Sequence, residues 1–157
     1  MSWSRFDVPD PRIRRKARER ALQFLFGLDF TNNPWEPAAA LFWEFEPTRA
    51  SVRQYAMTLI RGVCEQRGAL DEAIAGAIEK WAPERVGRIE RNIIRIALYE
   101  MRHAEDVPPA VAINEAIELA KIFGAEDAPR FVNGILDRLR SSDDSTPGDR
   151  NTIKDSA

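Results

Sequence analysis

The chain has one cysteine, Cys64, and one histidine, His103, among 157 residues. A zinc site built from cysteine and histidine needs about four ligands, so none can form within one chain, and neither can an internal disulfide. Any Ser-His-Asp or Cys-His catalytic arrangement would have to use His103, which lies in the charged stretch MRHAED. The eight glycines never occur as G-x-G, and the closest pair, Gly62 and Gly68, are six apart. That removes the dinucleotide fingerprint and the phosphate-binding loop. No run of about 18 apolar residues exists to span a membrane. The start, MSWSRFDVPDPRIRRK, lacks the apolar stretch of a secretory signal. These absences lead to the expectation of a soluble cytoplasmic protein, not an enzyme, with no cofactor and no metal.

Lysine is also scarce: only 4 of the 23 basic residues are lysine. Genomic base composition accounts for such a bias as readily as function does, so placement matters more. The net charge of −2 describes no polycation. Yet residues 12–20, RIRRKARER, hold six basic residues against the single acid Glu19. The first twenty residues carry +4, residues 21–140 carry −4, and the segment from Ser141 carries −2. The small total conceals a basic helix on an acidic body.

What is present reads as helix almost throughout. No segment sustains the period-two alternation of a strand. Ile13, Ala17, Ala21, Phe24, Leu25 and Leu28 recur at spacings of three and four behind an Asp10-Pro11 start, and TNNP at 31–34 ends the run. A short segment follows from Pro37 to Phe45. Thr48 is the expected N-cap of a third helix, with Val52, Tyr55, Ala56, Leu59, Ile60 and Val63 as its stripe. Leu70, Ile74, Ala77, Ile78 and Trp81 mark a fourth, stopped by Pro83. Apolar residues from Ile89 to Met101 cover a wide arc, which predicts a central helix. The turn EDVPP separates it from a helix over Val111–Phe123, where Gly124 is expected as the C′ residue. Asp127 is the expected cap of a last helix carrying Phe131, Ile135 and Leu139. The residues alone predict an all-α protein of about seven helices in one compact domain. Residues 1–11 form an N-terminal extension, 12–140 the helical domain, and 141–157 a polar, disordered tail.

Three stretches stand out. On a helix, Arg14, Arg15 and Arg18 share one side, where guanidinium groups can reach phosphates and stack on bases. A solvated helix end is the plainer reading. Arg15 and Arg18 are both expected to be solvent-exposed. In FVNGILD, Asn133 and Gly134 are poor residues for a helix interior. They point to close helix packing or to room for a ligand, and Phe131 beside Arg130 suits either base stacking or the core. In AINEAIELAK, Glu115 interrupts an apolar stripe and needs a partner such as Arg95. No constellation assembles a nucleophile, a base and oxyanion donors. His103 reads as a surface residue near a helix end.

The segments RRKARERALQFLF at 14–26, ERNIIRIALYEM at 90–101, VPPAVAINEAIELAKIFG at 107–124 and FVNGILD at 131–137 resemble the NusB family of bacterial transcription antitermination factors. Order and spacing agree from about Arg14 to Leu139. The resemblance implies an all-α fold of two packed helical subdomains and no catalytic activity. It implies binding of boxA, a single-stranded RNA sequence in ribosomal RNA leaders, together with NusE, a small-subunit ribosomal protein. The complex helps RNA polymerase read through terminators. By position, Arg14, Arg15, Arg18, Asp127 and Phe131 fall to the RNA, and Phe26 and Glu90 to the NusE side. Phe26 stands where the family carries tyrosine, so it brings no hydroxyl. Some NusB-like proteins form homodimers that cover the RNA surface, which leaves a self-associating helical scaffold as a further reading. A NusB-like domain also begins an rRNA cytosine methyltransferase. Only about twenty residues follow FVNGILD here, too few for that catalytic domain.

Overall fold

The computed structural model describes residues 10–79 and 86–144. Seven α-helices account for most of them: α1 (Pro11–Leu28), α2 (Trp35–Phe45), α3 (Ala50–Glu65), α4 (Arg67–Ile78), α5 (Arg88–His103), α6 (Pro109–Phe123) and α7 (Ala128–Asp144). The chain divides into two compact units, Met1–Gln66 and Arg67–Ala157. The division matches the two helical subdomains that the family resemblance implied.

In the first unit α1 packs along α3. Small residues permit the approach: Ala17 of α1 meets Val52 and Ala56 of α3, with Ile13, Trp43 and Tyr55 packed around them. Phe24 meets the edge of Phe42 from α2 at 5.5 Å between ring centroids. The start of α1 follows expectation. Pro11 occupies the first turn and the Asp10 carboxylate accepts from the Arg12 backbone N–H at 2.8 Å. The start of α3 does not. Its N-cap is Arg49, with no side-chain cap; Thr48 stands one residue earlier, and its hydroxyl donates to the Glu46 carbonyl at 2.8 Å. α2 begins two residues before the expected Pro37.

In the second unit α5 packs against α4, α6 and α7. Residues 92–98 are all buried, which an amphipathic surface helix with one buried stripe never shows. Burying Ile93, Ile94, Ile96 and Leu98 contributes roughly 1.5–3 kcal/mol each against solvent exposure. The same helix carries polar groups inward. Arg95, 4% exposed, makes a bidentate pair with Asp71 of α4 (Nε to Oδ1 2.7 Å, Nη2 to Oδ2 3.1 Å), and its Nη1 donates to Asn92 Oδ1. The bidentate partner is thus Asp71, an acid that the sequence pattern does not link to Arg95.

Gly124 ends α6 as its C-cap, not as a left-handed C′ residue, with φ −89°. Its glycine identity follows from crowding: a Cβ there would lie 2.6 Å from Ala128 Cβ and 2.9 Å from the Ala120 carbonyl. α7 begins directly after Asp127, whose carbonyl accepts from the Phe131 N–H. It continues through Asp144, past the expected end at 140. Arg102 of α5 holds this extra turn with two hydrogen bonds to Asp143, at 3.0 and 2.9 Å. α4 ends at Ile78. Trp81 and Pro83 of the fourth predicted stripe, residues 1–9 of the extension and the tail from 145 lie outside the described residues.

Candidate nucleic-acid interface

The basic run lies on the first half of α1, and the helix sorts it into two rows. Arg14 and Arg18, one turn apart, turn toward α3. The Arg14 guanidinium lies 4.6 Å from the centroid of the Tyr55 ring and that of Arg18 lies 6.0 Å away. Both fall within the reach of cation–π attraction. Arg18 is only 3% exposed. This corrects the expectation that Arg15 and Arg18 are both solvent-exposed: only Arg15 is. The cause is position, since Arg18 precedes Ala21 and Leu22 by three and four residues and so borders the buried stripe. Arg14 is half-buried. The three arginines therefore differ: one reaches into solvent, and two are set against an aromatic ring.

Arg12, Lys16 and Arg20 form the second row. Arg20 is held by Gln23 Oε1 at 2.9 Å and Glu46 Oε1 at 3.4 Å, and Lys16 by Glu19 at 3.4 Å. At the other end of α1, Phe26 is half-buried and stacks on Phe30, with centroids 5.1 Å apart. Phe30 itself is 63% exposed. Sequence reasoning missed Phe30, although the four-residue spacing from Phe26 was a usable signal.

In the second unit Asp127 is exposed and Phe131 half-buried, together at the start of α7. Arg130 and Asn133 are exposed beside them. Glu90 sits in the first turn of α5, is largely buried, and accepts from the Ala125 backbone N–H at 3.4 Å. Its carboxylate also fills the space that a Cβ on Gly87 would need. Glu90 thus pins the turn between α6 and α7. His103 is exposed at the end of α5, as expected, with its ring 5.0 Å from that of Tyr99.

The chemistry within reach is charge and stacking. Among the described residues no three metal-ligating side chains are grouped, and no helix is long and apolar enough to cross a membrane.

Known proteins give this arrangement its context. The sequence profile described as the NusB family matches residues 15–141. The transcription antitermination protein NusB of Geobacter sulfurreducens is 45% identical over 130 residues, covering 82% of this chain and 94% of that protein. That of Bacillus cereus is 40% identical over 129 residues, covering 82% and 98%. The solved structure of T. maritima NusB aligns with a TM-score of 0.72 at 35% identity, over 80% of this chain and 89% of that one. A chain from a complex of the antitermination factors NusB and NusE with dsRNA shares the fold, with a TM-score of 0.74 at 22% identity, over 85% and 99%. A profile match across most of the helical chain, joined to relatives at 40% identity and above over nearly their whole length, establishes that the chain belongs to the NusB family.

Proposed function

We propose that this chain is a cytoplasmic, non-enzymatic transcription antitermination factor. It binds boxA RNA of ribosomal RNA leader transcripts together with NusE and promotes read-through by RNA polymerase. Family membership supports this reading, and the observation that carries it is the arginine-rich first half of α1. There Arg15 is exposed while Arg14 and Arg18 are set against Tyr55. Single-stranded RNA is read by stacking and by contacts to splayed base edges, so ordered guanidinium groups suit it. Asp127 and Phe131 at the start of α7 supply a second set of contacts, with Phe131 stacking on a base. Phe26 contacts NusE with Phe30 beside it, and Glu90 contributes to NusE binding through the Ala125 turn that it fixes. A few basic residues on one small domain give modest affinity, and NusE adds surface and specificity.

The test is reconstituted transcription through a terminator placed downstream of a boxA leader, with NusE and the other antitermination factors present. Adding this chain raises read-through on the boxA template and not on a template with scrambled boxA. Equal read-through on both templates contradicts the reading.

A further inference from the structure

Beside the start of α1 lies a cleft of about 500 Å³ that the proposed function leaves unused. Arg12, Lys16 and Arg20 line one wall. They recur every four residues and so form a row distinct from that of Arg14 and Arg18. Pro47, Thr48 and Arg49, from the segment entering α3, and Val52 of its first turn line the other. Four cationic side chains thus face one cleft, with Asp10 as the single carboxylate in its lining.

The carboxylates nearby leave this charge available. Asp10 meets Arg12 at 3.5 Å, Glu19 meets Lys16 at 3.4 Å and Glu46 meets Arg20 at 3.4 Å. All three are long contacts; Arg12 is almost wholly in solvent and Lys16 half so, where such pairs are weak, while Arg20 is largely buried and also donates to Gln23 at 2.9 Å. Among the described residues Arg49 has no ion pair, although its charge helps to lower the pKa of Asp10. α3 starts without a side-chain cap and without an acid in its first turn, so its dipole adds positive potential.

We infer that this cleft is a second anion site, taking a phosphodiester of the same single-stranded RNA and so extending the RNA-binding surface across α1. The inference rests on the RNA-binding reading above. Guanidinium forks from two segments match the paired oxygens of a phosphate. A phosphate held in this way positions the strand and carries no sequence information. The site therefore contributes to affinity for any RNA and leaves selectivity to Arg15 and to the residues on α7.

The experiment compares the full chain with the Arg12→Gln/Arg49→Gln double variant, both positions being exposed. Binding of a fluorescein-labelled boxA RNA and of a scrambled RNA is followed by anisotropy across a salt series, with NusE present. The double variant is expected to bind both RNAs about tenfold more weakly, and its log-log salt slope is expected to be shallower by roughly 0.7 for each phosphate it no longer neutralises. Arg49→Lys, which keeps the charge but not the fork, keeps the salt slope and loses part of the affinity.

Three outcomes overturn the site while leaving the RNA-binding reading intact. One is an unchanged affinity and slope. Another is a larger loss on boxA than on scrambled RNA, which would mean base reading. The third is unchanged RNA binding with weakened NusE binding, which would assign the cleft to an acidic protein surface. A wild-type chain that binds neither RNA contradicts the functional reading itself, and this site with it.

Discussion

The guanidinium of Arg14 rests 4.6 Å from the centre of the Tyr55 ring. This pairing joins the arginine-rich helix to α3 and fixes where a basic side chain points before any RNA arrives. Ordering a long side chain in advance lowers the entropy lost on binding. Tyr55→Leu removes the ring face. It is expected to cost about 0.5–1 kcal/mol of stability and to weaken RNA binding several-fold. Tyr55→Phe keeps the face and should cost less on both counts than Tyr55→Leu. Urea denaturation and anisotropy on the same variants check both statements.

Arg15 and Arg18 separate binding from folding. Arg15→Ala touches an exposed residue and should change stability by less than about 0.5 kcal/mol, while RNA affinity falls. Arg18→Ala removes a side chain that is nearly all buried. It should cost about 1–3 kcal/mol, because the stem's packing and the stacking on Tyr55 both disappear. Equal denaturation midpoints for the two variants would contradict this division.

Asp71 supports the buried Arg95. Asp71→Ala leaves that guanidinium without its bidentate partner and is expected to cost about 3 kcal/mol. Asp71→Asn retains an acceptor and should cost less. Thermal unfolding followed by circular dichroism ranks the variants, and the wild type should be most stable.

The Asp10 cap gives α1 a dependence on acid. The Arg12 backbone N–H, and after it the charges of Arg12 and Arg49, hold the Asp10 carboxyl below the usual aspartate range. A folded-state pKa below the unfolded one means that the cap's stabilisation is complete above the unfolded value of about 3.9. It is lost as pH falls through the lowered folded value. Carbon-detected NMR titration should place Asp10 below a random-coil aspartate, and Asp10→Asn should remove this part of the acid sensitivity. An unshifted Asp10 would show that the cap does not form.

The helices were legible in the sequence because a stripe at three- and four-residue spacing follows from helix geometry alone. So was the start of α1, since Asp10 and Pro11 act within one turn. Features set by a distant partner were not. Arg18 looks like any other member of a basic run, and its burial depends on Tyr55 and on the stripe it borders. The Arg95 pair joins positions 24 apart on two helices. Glu100 is fully buried, yet nothing in IALYEM marks it as more than a helix-forming acid. Gly124 reads as a turn glycine because that is the commoner use at a helix end, whereas crowding by Ala120 and Ala128 decides it. The last turn of α7 was hidden because SSDD reads as tail until Arg102 is placed against Asp143.

Sequence-selective RNA recognition together with NusE is read out by equilibrium anisotropy. Labelled boxA RNA and a scrambled RNA of the same composition are titrated with this chain in the presence of NusE. Binding of boxA is expected to be clearly tighter and to be weakened by Arg15→Ala, with a log-log salt slope of roughly −3 if about four phosphates are neutralised. Equal affinity for the two RNAs with NusE present would contradict it.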